Sequence, residues 1–255
     1  MLEKLYNLPT PIQVLIDPAS LIVISIFFGL MLAEELFPGR ALPAVRFWRV
    51  KGISAFVIYF FVSSYLPLFW NEFLGAYQIF DLTKLGDYWG AFLALLVYEL
   101  GVYFWHKSMH KNSVLWRVFH QMHHSAERVD TYGAFFFSPA DMIGFTYLTS
   151  LAMVWICGFT PQATIYAIYG ATFLAVIQHA NLKTPQWMGY IFQRPESHSL
   201  HHAKGIHAYN YSDLPIFDIL FGTFRNPKEF TLDTGFYDGA SSKIREMLLF
   251  KDINQ

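Results

Sequence analysis

Five stretches of this chain, at 19–36, 53–70, 88–105, 142–158 and 161–178, are predominantly apolar. Their lengths fall near the roughly 17–25 residues that carry a helix across a bilayer. Helices satisfy their own backbone in lipid, so such segments narrow the fold to a helical one. The alternative is a soluble bundle with five buried helices, and composition weighs against it. Hydrophobic residues make up 54% of the 255 and charged residues 15%, against about 45–50% and about 25% in soluble domains. The same values argue against disorder. The expected fold is an all-α polytopic transmembrane bundle of about 4–5 spans, with a cytoplasmic helical cap carrying a histidine-rich dimetal site. The chain reads as one membrane-embedded domain over 1–255. Its parts are N-terminal spans (1–105), first histidine motifs (106–141), an antiparallel span pair (142–178), and a last histidine motif with a cytoplasmic tail (179–255). The first stretch lacks a basic leader and a small-residue cleavage site, so it reads as a span and not a signal peptide.

Lys and Arg orient the spans. Arg40, Arg46, Arg49 and Lys51 lie between the first two, and Lys107, Lys111, Arg117 and Arg128 follow the third. The segment 71–87 carries Lys84 beside Glu72, Asp81 and Asp87. Alternation then places the basic segments and the C-terminal tail in the cytoplasm. The net charge of −1 offers no global field for nucleic acid, and none is expected as a partner. A single cysteine, Cys157, excludes an internal disulfide framework and cysteine-ligated clusters.

All ten histidines fall between His106 and His207, on the cytoplasmic side of this topology although they were not used to build it. His106 and His110 are four apart and share a helix face. His120, His123 and His124 have spacing i, i+3, i+4, again one helix face, and His198, His201 and His202 repeat it; His179 stands between. Imidazole is the commonest metal ligand, and eight such imidazoles exceed what one ion can use, so two ions are expected. Neither Glu-x-x-His nor His-Glu-x-x-His occurs, which counts against carboxylate di-iron and zinc hydrolase sites. A redox metal pair that activates dioxygen fits best.

The run Glu99, Tyr103-Phe104-Trp105-His106-Lys107-Ser108-Met109-His110, Leu115-Trp116, His120-Gln121-Met122-His123-His124-Ser125, His179-Ala180-Asn181, His198-Ser199-Leu200-His201-His202 and Asn210-Tyr211-Ser212-Asp213 through Gly222-Thr223 resembles the fatty acid hydroxylase/sterol desaturase superfamily of integral membrane enzymes. The resemblance covers about half the chain. It implies a non-haem di-iron site, with zinc as a possible substitute, that uses dioxygen and external electrons to hydroxylate or desaturate a lipid. Ser138-Pro139-Ala140-Asp141 looks like a His-Pro-x-Glu element that has lost its histidine. Lys183 stands where some fatty-acid 2-hydroxylases carry a second histidine. His207 matches no motif position and reads either as a further ligand or as a solvated loop residue.

Glu99 lies two turns before His106, and an acid within a span is costly unless paired. The expectation is that it hydrogen-bonds a ligating imidazole; the alternative is a bridge to another helix. Asp218 and Asp213 are weaker candidates for that role, and the resemblance makes Asn181 and Asn210 polar clamps near the site. The aromatic segment 132–137 either roofs a lipid-entry groove or packs in the core. No Gly-x-Gly-x-x-Gly fingerprint is present, so electrons are expected from a separate carrier, a ferredoxin or small haem protein with its reductase. A histidine-rich membrane metal transporter or metal-binding protein is the rival class. It predicts ligands near the bilayer midplane, not at one surface.

Overall fold

The computed structural model describes residues 8–254; the ends of the expected domain, 1–7 and Gln255, lie outside them. The described residues form helices and loops with no strand, apart from one isolated bridge between Ala203 and Thr234. The helices are α1 (Pro11–Ile16), α2 (Pro18–Leu36), α3 (Trp48–Tyr65), α4 (Pro67–Ala76), α5 (Gly86–Lys111), α6 (Ser113–Leu115), α7 (Gln121–His124), α8 (Pro139–Ser150), α9 (Pro161–Ile177), α10 (Pro195–His201), α11 (Pro215–Leu220) and α12 (Ile244–Leu248).

Proline opens many of these helices, where its missing N–H costs nothing. The side chains of Asp17, Ser138 and Thr160 cap α2, α8 and α9. Three helical stretches are long and apolar enough to cross a membrane: Pro18–Leu36, Trp48–Ala76 and Thr83–Lys111. Leu32, Ile58 and Phe92 point outward from them and are exposed. Such apolar surface suits lipid. The other two expected spans are shorter as α-helix. The 142–158 stretch is α8 continued by a π-helical segment, Leu151–Ile156, and α9 spans 17 residues. These two, expected as an antiparallel pair, find their main partners elsewhere. α9 lies against α5 and α2, and α8 against α3, α4 and α5.

Close approach at two places builds the core around α2 and α3. A Cβ on Gly52 would sit 2.2 Å from the Tyr132 carbonyl oxygen, so only glycine lets α3 meet the 131–133 turn. There Trp48 Nε1 donates to Asp130 Oδ1 at 2.8 Å. Phe27 stacks on Phe56 with ring centroids 4.0 Å apart, joining α2 to α3. The segment 132–137 is buried in this core, which brings Phe135 and Phe137 to the wall of a cavity beside the histidines.

Candidate metal centre

The helix α5 runs past its apolar stretch to Lys111, so His106 and His110 project from its end. A π-helical turn, Trp116–His120, then leads into α7. Ligand atoms of His106, His110, His120, His124 and His201 form one group; those of His123, His179, His198 and His202 form another, each within 4.8 Å. Each triplet therefore divides between the two groups: neighbours His123 and His124 part, as do His201 and His202. His207 joins neither group. Its Nδ1 lies 3.1 Å from that of His124.

Hydrogen bonding tests whether ions fit. His106 Nδ1 donates to the Tyr211 carbonyl at 2.7 Å, His201 Nδ1 to that of Tyr209 at 2.7 Å, and His179 Nδ1 to that of Ala175 at 2.6 Å. A carbonyl can only accept, so each of these neutral rings keeps its proton on Nδ1 and a bare lone pair on Nε2. Yet His106 Nε2 is 2.9 Å from His120 Nε2, and His179 Nε2 is 3.0 Å from His123 Nε2 and 2.9 Å from His198 Nε2. His120 gives its Nδ1 proton to Asp141, so at the His106–His120 pair two bare lone pairs face each other and repel unless a cation lies between them. Metal–nitrogen bonds of about 2.1 Å hold cis ligands about 3 Å apart, so the spacing fits. The buried Nε2 atoms of His110, His124 and His201 have no protein partner either. Burial, the largest cause in every case, pushes His120, His123, His124, His198, His201 and His202 well below the ordinary imidazole range and His179 and His207 to about 4. Rings held neutral are rings ready to ligate.

The partner expected of Glu99 is not an imidazole. Its Oε2 accepts from Ser212 Oγ at 2.9 Å and from the Asp213 N–H at 2.9 Å. It anchors the loop whose Tyr211 carbonyl fixes His106, and so acts one step removed. The carboxylate that does meet an imidazole is Asp141, 2.8 Å from His120 Nδ1. Its position in a degenerate motif concealed it; an acid capped by Ser138 at the head of an apolar helix was the available signal.

Asp218 also grips the loop, accepting from the N–H groups of Tyr211 and Ser212 at 2.8 and 2.9 Å. Asn210 Nδ2 donates to the carbonyls of Ser197 and Arg225. His207, Tyr209 and Asn210 all have positive φ, at 42°, 70° and 50°, a strained run for non-glycine residues. The strain turns the Tyr209 and Tyr211 carbonyls onto His201 and His106. Asn181 is farther off: its N–H donates to Glu34 Oε2 and its Nδ2 to the Arg40 carbonyl, tying the end of α9 to the loop after α2.

A cavity of about 60 Å³ touches both groups through His106, His120, His123, His179 and His198. Tyr59, Tyr98, Phe135, Phe137 and Phe145 form much of its remaining wall.

The family model for fatty acid hydroxylase matches residues 91–223, a segment that holds all ten histidines, Glu99 and Asp141. The chain belongs to the fatty acid hydroxylase family. Among curated relatives, this family member is 31% identical over 143 residues to an ornithine lipid hydroxylase of Rhizobium tropici, covering 53% of this chain and 41% of that one. It is 27% identical to sphinganine C4-monooxygenase 1 of Arabidopsis thaliana, covering 51% and 52%. It is 28% identical to a very-long-chain aldehyde decarbonylase of Oryza sativa subsp. indica, again covering 51% and 52%. The chain thus spans about half the length of the curated relatives it matches. No solved structure matches it.

Proposed function

We propose that this fatty acid hydroxylase family member is a membrane-bound di-iron oxidoreductase that uses dioxygen and external electrons to hydroxylate or desaturate a lipid. The observation that carries the reading is the pair of imidazole groups, five and four, whose ring nitrogens converge beside an aromatic cavity. His106, His110, His120, His124 and His201 hold one ion, and His123, His179, His198 and His202 the other. Two irons held there supply the redox chemistry that an unactivated C–H bond demands. The protein's own share is orientation and exclusion of water. The carbonyls of Tyr211, Tyr209 and Ala175 and the carboxylate of Asp141 fix ring tautomers. Tyr98, Phe137 and Phe145 keep the reacting face dry. The cavity admits the reacting segment of a lipid, not a whole chain, so the rest lies along the apolar helices. The histidine centre faces the cytoplasm, and a separate ferredoxin or small haem protein with its reductase docks on the basic face there.

The test is iron analysis and lipid mass spectrometry on the same material. Protein purified from membranes should carry about two irons. Cells expressing it should accumulate a lipid oxidised by one oxygen or lacking two hydrogens, absent from cells expressing His123→Ala. Active protein with one iron or none would overturn the reading.

A further inference from the structure

A helix on the surface of a water-soluble cap turns its apolar side inward. The short helix α11 does the opposite. Its acid, Asp218, is fully buried, whereas Ile216, Ile219 and Leu220 are 47%, 46% and 68% exposed. Their spacing i, i+3, i+4 puts all three on one face, and Phe221, also exposed, follows them. The inward acid is accounted for: it accepts from the N–H groups of Tyr211 and Ser212 and from Thr223 Oγ1. The outward apolar face calls for a partner.

That face is part of a larger patch. α11 packs on the turn Gln186–Tyr190, where Trp187 and Tyr190 are exposed, as is Ile191 beside them. Gln186 and Asn226 exchange hydrogen bonds at 3.0 and 2.9 Å. This brings Arg225 and Lys228, both exposed, to the border of the patch. The neighbouring Glu229 is taken by Lys183 at 3.1 Å. Lys107 Nζ lies 2.9 Å from Tyr103 Oη, and the Tyr103 ring stacks on Phe221 at 4.8 Å, which adds a third cation at the rim.

What covers the patch follows from what it joins. Phe104 is exposed on α5, with its ring 5.3 Å from that of Phe221. A bilayer core of about 30 Å takes about 20 residues of helix; counted from Tyr88 on α5, it ends near Lys107. Phe104 therefore stands in the last turn within the lipid, and α11 sits beside it at the boundary. On the other side Phe173, exposed near the end of α9, lies 6.5 Å from Phe192, which adjoins Ile191. The patch thus continues the outward apolar surfaces of two helices. Trp and Tyr concentrate at headgroup level, and Lys and Arg there attract lipid phosphates.

From this continuity we propose that α11 and the turn Gln186–Tyr190 lie in the headgroup region of the leaflet at the histidine end of α5, as a second, non-spanning contact with the membrane. Their apolar side chains enter the acyl boundary, while Arg225, Lys228 and Lys107 meet phosphates. Through Asp218 the inner side of α11 holds the loop whose Tyr211 carbonyl fixes His106, so this contact seats the histidine centre on the membrane surface. The proposal requires the chain to cross a membrane and does not depend on the reaction it performs.

Site-specific fluorescence in nanodiscs that each hold one full-length chain tests it. Cys157 is buried, so Ile219→Cys, Leu220→Cys and Trp187→Cys can each carry an environment-sensitive dye, with Lys204→Cys as the exposed reference. The quenchers are phosphatidylcholine spin-labelled high on its acyl chain and aqueous iodide. An interfacial helix buries its apolar face about 5–10 Å into the headgroup and acyl boundary, so the three patch positions should be quenched about threefold more by the labelled lipid than position 204, and about threefold less by iodide. Three positions on two elements keep the test decisive should one variant fail to fold. Iodide quenching equal to that at position 204 would overturn the proposal. So would shielding that appears only in discs holding two chains, which would make the patch an interface between copies. Lipid quenching at the patch in protein that oxidises no lipid would uphold the membrane contact and count against the proposed reaction alone.

Discussion

Asp141 Oδ2 lies 2.8 Å from His120 Nδ1, with both side chains buried. No other carboxylate among the described residues hydrogen-bonds a histidine. Removing such a partner typically costs about 10–100-fold in metal affinity or activity. Asp141→Ala should fall in that range, and Asp141→Asn, which keeps an acceptor oxygen, should lose less. Iron content and turnover measured on one sample decide it. An Asp141→Ala protein with parental iron and turnover would remove Asp141 from the centre.

His123 and His124 are predicted to control different ions. His123→Ala should deplete the four-histidine group and His124→Ala the five-histidine group, each leaving about one iron and no activity. His207→Ala should retain more activity than either, because His207 belongs to neither ligand group. Elemental analysis with turnover is the measurement. Full iron and activity in His123→Ala would break the assignment.

Glu99→Gln should loosen the Ser212–Asp213 anchor, because an amide cannot accept every donor that Oε2 now takes. The expected result is a lower unfolding temperature together with reduced turnover per iron, since His106 loses a fixed Tyr211 carbonyl. Glu99→Asp should be milder. Normal turnover per iron in Glu99→Gln would confine Glu99 to holding the helices together.

Acid should destabilise the metal-free protein over a defined range. An unfolded histidine takes up a proton near 6.5, whereas His179 and His207 are pushed down to about 4, first by burial. Their folded pKa values lie below the unfolded ones, so the stabilisation is complete above about 6.5 and is lost as pH falls towards 4. Thermal unfolding of chelator-treated protein should record this decline. An unfolding temperature that stays flat through the window would show that the imidazoles are not held neutral by the fold.

Topology is open to labelling. Cys157 is buried, so an introduced cysteine reports alone. Asp81 and Lys204 are both exposed. Asp81→Cys should react with a membrane-impermeant maleimide from outside intact cells, and Lys204→Cys only after lysis. The reverse pattern would put the histidines outside and remove the route for cytoplasmic electrons.

Helical character was legible because long apolar runs mark α2, α3, α5 and α9. That the histidines gather closely enough to form metal-binding groups was legible from the spacing of His120, His123 and His124 and of its repeat. The division of those triplets was not. In both triplets the i and i+4 rings share one group and the i+3 ring joins the other, a split that depends on which imidazoles the neighbouring segments bring to each side. Asp141 was hidden because its partner is distant in sequence. The Tyr209 and Tyr211 carbonyls were hidden because backbone groups carry no residue signature; only the fold aims them.

The five-histidine group runs from His106 to His201 and the four-histidine group from His123 to His202. Neither can be complete on a growing polypeptide until the segment beyond His202 has left the ribosome. The apolar N-terminal helices can enter the bilayer long before that. Metal bound at either group would therefore be captured late in the maturation of this protein, and a nascent chain halted before α10 would be unable to close either site.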